Sequence, residues 1–161
     1  MASAAKTNVC RLLDRAGAAY KVYTYDHGDG LIDGPSVAAK IGQDPGRVFK
    51  TLVTRGQSGA YCVFVLPCNR ELDLKAAARA AGEKAVEMIH VADINKVTGY
   101  IRGGCSPIGM KKLYKTVVDS SCRAHQSIVV SAGKIGTQVD VDVETLLQMV
   151  GAVTAPVALQ R

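Results

Sequence analysis

A chain of 161 residues, 48% hydrophobic and 21% charged, has the size and composition of one folded domain with its own core, which excludes disorder as its main theme. Its 20 lysines and arginines outnumber 14 acidic residues, for a net charge of +6; that balance suits a polyanionic partner, nucleic acid first, or no more than a soluble basic protein. The five cysteines (Cys10, Cys62, Cys68, Cys105, Cys122) share no metal-like spacing, no apolar run approaches the roughly 20 residues of a membrane span, and Met1 opens no signal peptide. Reduced thiols, no membrane contact and a cytoplasmic location are the expectation.

The first helix is expected from a Thr7 cap, with Val9, Leu12, Leu13 and Ala16 on one face and Gly17 as its stop. Residues 19–25 read as a strand, and Asp26-His27-Gly28-Asp29-Gly30 as a loop. Pro35 opens a short helix that ends at Gly42. Residues 48–54 and 61–66, joined across Gly56-Gln57-Ser58-Gly59, predict a β-hairpin. Asp73 caps an alanine-rich helix ending at Gly82; a short strand follows over 86–89 and a helix over 91–97. Strands are expected near 116–119, 128–131 and 139–143, with a turn over Gly133-Lys134-Ile135-Gly136 and a closing helix through Thr145, Leu146, Met149 and Val150. Irregular alternation with at least one hairpin predicts an α/β single domain, a mixed, barrel-like sheet surrounded by helices.

The segment Arg102-Gly103-Gly104-Cys105-Ser106-Pro107-Ile108-Gly109-Met110-Lys111-Lys112 is the densest in loop chemistry. Glycines allow positive φ and bring backbone N–H groups close to a ligand. Gly104 and Gly109 have phosphate-loop spacing, but Met110 stands where lysine is required. Gly104 and Ser106 begin a nucleophile elbow that Ile108 leaves unfinished. Neither an NTPase nor a triad hydrolase is indicated. Ser106 and Cys105 are conceivable nucleophiles without a base partner in sequence, and Cys105 reads more simply as a packing residue. His27, His90 and His125 form no metal motif; His27 reads as an exposed or capping residue, the other two as structural. Lys50, in the otherwise apolar Val48-Phe49-Lys50-Thr51-Leu52-Val53, is either an outward-facing strand lysine or a cation at a cleft edge. Lys111, Lys112 and Lys115 are likewise a solvated face or a phosphate grip.

Taken together, Val48-Phe49-Lys50-Thr51-Leu52, Leu72-Asp73-Leu74-Lys75, Val86-Glu87-Met88, Thr98-Gly99-Tyr100, Gly103-Gly104-Cys105-Ser106-Pro107-Ile108-Gly109 and Ser131-Ala132-Gly133-Lys134 resemble, in order and over nearly the whole chain, the YbaK family of free-standing cysteinyl-tRNA(Pro) deacylases. That resemblance implies one domain over residues 1–161, no metal or organic cofactor, the acceptor end of an aminoacyl-tRNA as substrate and prolyl-tRNA synthetase as a partner. It also implies a proofreading role, because cysteine and proline are too close in size for one pocket to separate. The implied chemistry is attack by the substrate's own thiol on its ester, so the site supplies positioning and charge.

By the same resemblance Lys50 is the essential lysine, with Thr51 beside it, and Tyr25 lines the pocket. Gly103 and Gly104 contact the ester, Ser106 and Pro107 shape the loop, and Ser131 precedes the Gly-Lys turn. Gln138 stands where the family has a pocket aspartate, with Asp140 the nearest acid, and Ile135 replaces an arginine. These departures leave open a deacylase for alanine or another small residue, and a non-catalytic tRNA- or synthetase-binding module is the reading from a different class.

Overall fold

The computed structural model describes residues 6–159. The Thr7 hydroxyl accepts the Cys10 N–H at 3.2 Å and starts α1 (Asn8–Arg15), which buries Val9, Cys10 and Leu13. Then follow β1 (Tyr20–Thr24) and α2 (Gly34–Lys40), whose cap is Asp33, with Pro35 in the first turn. The hairpin is β2 (Phe49–Gly56) and β3 (Tyr61–Pro67). Asp73 caps α3 (Leu74–Ala81), and Gly82 ends it at φ +73°. β4 (Val86–Met88) and a 3-10 turn (Val91–Asp93) lead into α4 (Ile94–Thr98). The chain closes with β5 (Lys115–Asp119), a 3-10 turn (Ser120–Ala124), β6 (Ser127–Lys134), β7 (Thr137–Asp142), α5 (Val143–Val150) and β8 (Val153–Ala155).

The strands form two sheets. One has the order β1-β7-β6, all antiparallel; the other is β4-β2-β3-β5-β8, where β3-β5 and β5-β8 are parallel. The α/β class expected from sequence holds, but the barrel-like closure does not. Between the sheets, the described residues form a single parallel bridge, Val48 with Val129. One bridge cannot close a ladder, so the two sheets stay separate; further along β6 its pairing with β7 shifts register between Ser131 and Lys134. The seam that stays open beside the bridge becomes the floor of the site.

β3 is buried on both faces, so its apolar run is continuous rather than alternating. Val63 and Val65 join α1, α5 and the small sheet in the main core, while Cys62 and Phe64 pack beneath α3. α3 turns Ala77, Ala78 and Ala81 onto that face, short side chains that let the helix sit close. A third, small cluster of Ala38, Val48, Cys68 and Val129 lies under α2, at the seam. Each fully buried valine or leucine side chain contributes about 1.5–3 kcal/mol.

Candidate functional site

An inner chamber of about 120 Å³ occupies the seam. The small sheet contributes Ser131 and Gln138, with Tyr25 just beyond β1; α2 contributes Gly34 and Val37; the start of β2 contributes Phe49, Lys50 and Thr51; Cys68, Gly103 and Cys105 complete the wall. An outer cleft of about 820 Å³ shares Ile32, Gly34, Lys50, Thr51, Cys68, Gly103 and Cys105 with the chamber. Its far wall is apolar: Met88, Ile89, Val91 and Ile94, with Met88 and Val91 exposed, while Arg102 lies at its rim. Chamber and cleft are therefore one site in two compartments, and Lys50 stands where they meet.

Lys50 is half-buried and makes no hydrogen bond or ion pair with a described residue. Burial pulls its pKa below the ordinary lysine value, opposed by the neighbouring Cys68 and Glu71. β4 pairs with β2 only at Thr54, Arg55 and Gly56, so the flank of β2 from Lys50 to Leu52 is open. The Val53 carbonyl accepts the Ile89 N–H on that side; alternation along a strand therefore aims the peptide groups of Thr51 the same way, into the cleft.

Two hydroxyls in the chamber wall, Tyr25 Oη and Thr51 Oγ1, are buried without a hydrogen-bond partner. A buried unpaired hydroxyl costs about 1–3 kcal/mol, so both are poised for a polar ligand atom. Gln138 is buried, 6% exposed, and lines the chamber. Opposite it in register is Ser131, whose Oγ accepts the Gly133 N–H at 3.2 Å. The loop before α2 is fixed by Lys40, which donates to the Asp26 and Leu31 carbonyls and to Asp29 at 2.7, 3.0 and 2.8 Å, with its ammonium 5.9 Å from the Tyr25 ring centre.

The structure thus brings Lys50, Thr51, Tyr25, Gly103, Ser131 and Gln138 together, but leaves Gly104, Ser106 and Pro107 outside the chamber. Gly103 has φ +88°, and a Cβ there would come within 2.9 Å of Ile32. Gly104 is a packing glycine: a Cβ would press on the Lys134 and Ile135 backbone at 3.1 Å, and its N–H already donates to the Ile101 carbonyl. Ser106 is fully buried and its Oγ accepts the Ile108 N–H at 3.2 Å. Pro107 lines a separate groove with Leu12 and Met149. Tyr100 Oη donates to the Ile108 carbonyl, tying the loop across its own width; burial pushes this phenol up to about 12. The loop is largely consumed in holding itself together.

Cys68 and Ile32 carried no signal in the sequence, since only the tertiary seam sets them in the wall. Burial pushes the Cys68 and Cys105 thiols up to about 11, so both are protonated at neutral pH. Asp140, the acid nearest to Gln138 in sequence, is not in the chamber; its two oxygens are held by Arg47 at 3.1 and 2.8 Å. Among the described residues no group of three or more His, Cys, Asp or Glu side chains is placed to hold a metal ion. The Tyr25 and His27 rings meet edge-on at 6.4 Å, while His90 and His125 line neither compartment.

The seam thus combines, among the described residues, one unpaired cation, two unpaired hydroxyls and an outer cleft with an apolar wall. Residues 35–149 match the family described as aminoacyl-tRNA editing domain, and the chain belongs to that family. It is 44% identical over 144 residues to a protein of Enterococcus faecalis provisionally named Cys-tRNA(Pro)/Cys-tRNA(Cys) deacylase EbsC, with 89% of this chain and 88% of that one covered. Among solved structures, a provisional trans-editing enzyme for prolyl-tRNA synthetase shares the fold at TM-score 0.82 and 20% identity, covering 97% of this chain and 100% of the other. The hypothetical protein APE2540 does so at TM-score 0.85 and 20% identity, over 94% and 99%. No helix of the described residues is long and apolar enough to cross a membrane.

Proposed function

We propose that this protein is a trans-editing aminoacyl-tRNA deacylase that removes cysteine from mischarged tRNA(Pro), working as one domain. The observation that carries the reading is Lys50: an ammonium with no partner among the described residues, at the junction of a chamber sized for a small acyl group and a cleft wide enough for a nucleoside. The acyl group enters the chamber, the terminal adenosine lies against Met88, Val91 and Ile94, and Lys50 and Arg102 face the ester and the adjoining phosphate. The net charge of +6 favours approach of the tRNA backbone. Prolyl-tRNA synthetase is the proposed partner that delivers the substrate, in keeping with what the solved trans-editing relative is named for.

Cleavage proceeds through the substrate. The cysteine sulfur attacks its own carbonyl carbon, a carbon–sulfur bond forms, the ester carbon–oxygen bond breaks, and the thiol proton passes to the departing ribose oxygen. The products are a cyclic thiolactone and free tRNA. The protein's own thiols near the site, Cys68 and Cys105, are protonated and therefore poor nucleophiles. What remains for the chain is orientation and charge stabilisation.

Release of labelled amino acid from cysteinyl-, alanyl- and prolyl-tRNA(Pro) tests this reading. Fast loss of cysteine alone is the expected result. Loss of alanine at an equal rate would move the assignment to a small-residue deacylase with no thiol requirement, and no release would leave a binding module.

A further inference from the structure

The charges around the chamber are lopsided. Lys50 is the one ionised side chain lining it, and no carboxylate does. The surrounding carboxylates lie outside the chamber wall: Asp33 lines the outer cleft, and Asp44 and Glu71 act on Cys68 and Lys50 from beyond it. Asp140 has both oxygens on Arg47, and Asp33, at the cleft rim, accepts the Ser36 N–H at 2.9 Å and the Ser36 hydroxyl at 2.8 Å. Glu71 is exposed and reaches Lys50 only as a more distant field. Behind Tyr25 the neighbouring charges are the Lys40–Asp29 ion pair, which is neutral as a whole, and His27 flanks the same ring. Of the remaining polar wall, Thr51, Ser131 and Gln138 do not ionise, and burial keeps the Cys68 and Cys105 thiols protonated at neutral pH.

The substrate assigned to this site brings a charge of its own. The α-amine of an aminoacyl ester has a pKa near that of a peptide amino terminus, about 7.7–8.0, and is largely an ammonium below neutrality. Within a few ångströms of Lys50 that ammonium meets a like charge in a partly dehydrated space, where repulsion is only weakly screened. The Gln138 amide and the Thr51 carbonyl accept hydrogen bonds from a neutral amine as well as from an ammonium, and neither neutralises charge.

Resting on the deacylase reading, we infer that the inner chamber holds the acyl group with its α-amine uncharged, and that it accepts acyl groups lacking the amine altogether. The site would then recognise size and the reacting ester, and its ligand class extends to desamino acyl esters of the terminal adenosine. Gln138 is the specificity-determining position, because a carboxylate there would supply the counter-charge that the wall lacks.

Two hydrolysis-resistant probes test this, 3′-deoxy-3′-(alanylamino)adenosine and its propionylamino counterpart, measured against adenosine by calorimetry or competition. For the unmodified protein at pH near 6 the propionylamino compound should bind about 50–100-fold tighter than the alanylamino one, and the gap should close toward pH 8.5 as the amine loses its proton. Loss of the Lys50 charge at higher pH relieves the same repulsion on the alanylamino probe alone, so it closes the gap in the same direction. In Gln138→Glu the preference at pH near 6 should reverse. Tighter binding of the alanylamino probe at low pH by the unmodified protein would overturn the inference, as would binding of both probes no better than adenosine. Neither of those results touches the deacylase reading, which stands or falls on release from cysteinyl-tRNA(Pro).

Discussion

Gln138 and Asp140 lie two residues apart on one face of β7, yet they belong to opposite regimes. Asp140 is fully satisfied: Arg47 grips both oxygens, and Arg47 also donates to Gln43 and to the Ser127 carbonyl and hydroxyl. Gln138 opens into a chamber where, among the described residues, Tyr25 Oη and Thr51 Oγ1 have no partner and Lys50 forms no ion pair. The first region is built to hold the sheets together, while the second gives up stability to keep its polar groups free for a ligand. The same strand serves both, so substitutions on the two sides should separate stability from activity.

The largest expected effect is on Lys50. Lys50→Ala should lower cysteine release about 100-fold, the scale of losing a charge aimed at a reacting ester, while the thermal midpoint holds or rises. Lys50→Met should gain about 1 kcal/mol near neutral pH, because a desolvated ammonium is removed. Burial lowers the folded-state pKa of Lys50, so its destabilisation is full below that value and fades as pH climbs toward the unfolded lysine value of about 10.4; the gap between the two proteins in urea midpoints should close accordingly. A destabilised Lys50→Met would show that the lysine is structural.

On the other side, Asp140→Asn should cost about 2–3 kcal/mol, since it leaves the half-buried Arg47 guanidinium without its counter-charge. The rate per folded molecule should change little. Burial pushes the Asp140 carboxyl up, but the hydrogen bonds from Arg47 and Ser127, with the Arg47 charge, hold it below the ordinary carboxylate value. Its contribution is therefore present above about pH 4 and lost as pH falls through the folded-state value, so wild type and Asp140→Asn should converge in acid. A persistent difference near pH 2 would mean that Asp140 acts through packing.

The sequence carried the secondary structure well because local signals agree with the tertiary outcome. Thr7 and Asp73 cap helices as their chemistry predicts, Gly82 ends one in the left-handed region, and the hairpin of β2 and β3 follows from its strand pattern and loop. β8 was not visible, since Val153–Ala155 is a strand only through parallel pairing with distant β5. The open seam was not visible for a related reason. A barrel and two sheets joined at Val48 and Val129 share the same strands, and the difference lies in long-range pairing that local sequence signals do not carry.

The site was half legible. Lys50 stood out as a charge in an apolar strand, though periodicity could not tell an outer face from a cleft. The glycine loop advertised a binding role, but of its residues only Gly103 and Cys105 reach the chamber, together with Arg102 at the cleft. Ser106 spends its hydroxyl on its own turn and Gly104 packs on the Ile135 backbone. Loop composition reports the need for unusual backbone shape, and a shape can serve the loop itself.

Smaller effects sharpen the contrast at the hydroxyls. Thr51→Val should keep the fold and stabilise it by up to about 1 kcal/mol, because it removes a buried group that has no partner, and it should weaken substrate binding a few-fold. A loss of stability would place a protein partner on that hydroxyl.

The most direct test of the central claim, that the chamber positions a substrate which cleaves itself, is the single-turnover rate at saturating enzyme on cysteinyl- and seryl-tRNA(Pro). The two acyl groups differ by sulfur for oxygen, so binding is equalised and the chemistry is what remains. Cleavage of the cysteinyl ester should be faster by about two orders of magnitude or more, as expected when the better nucleophile belongs to the substrate. Equal rates would contradict it and would require a nucleophile or an activated water supplied by the protein.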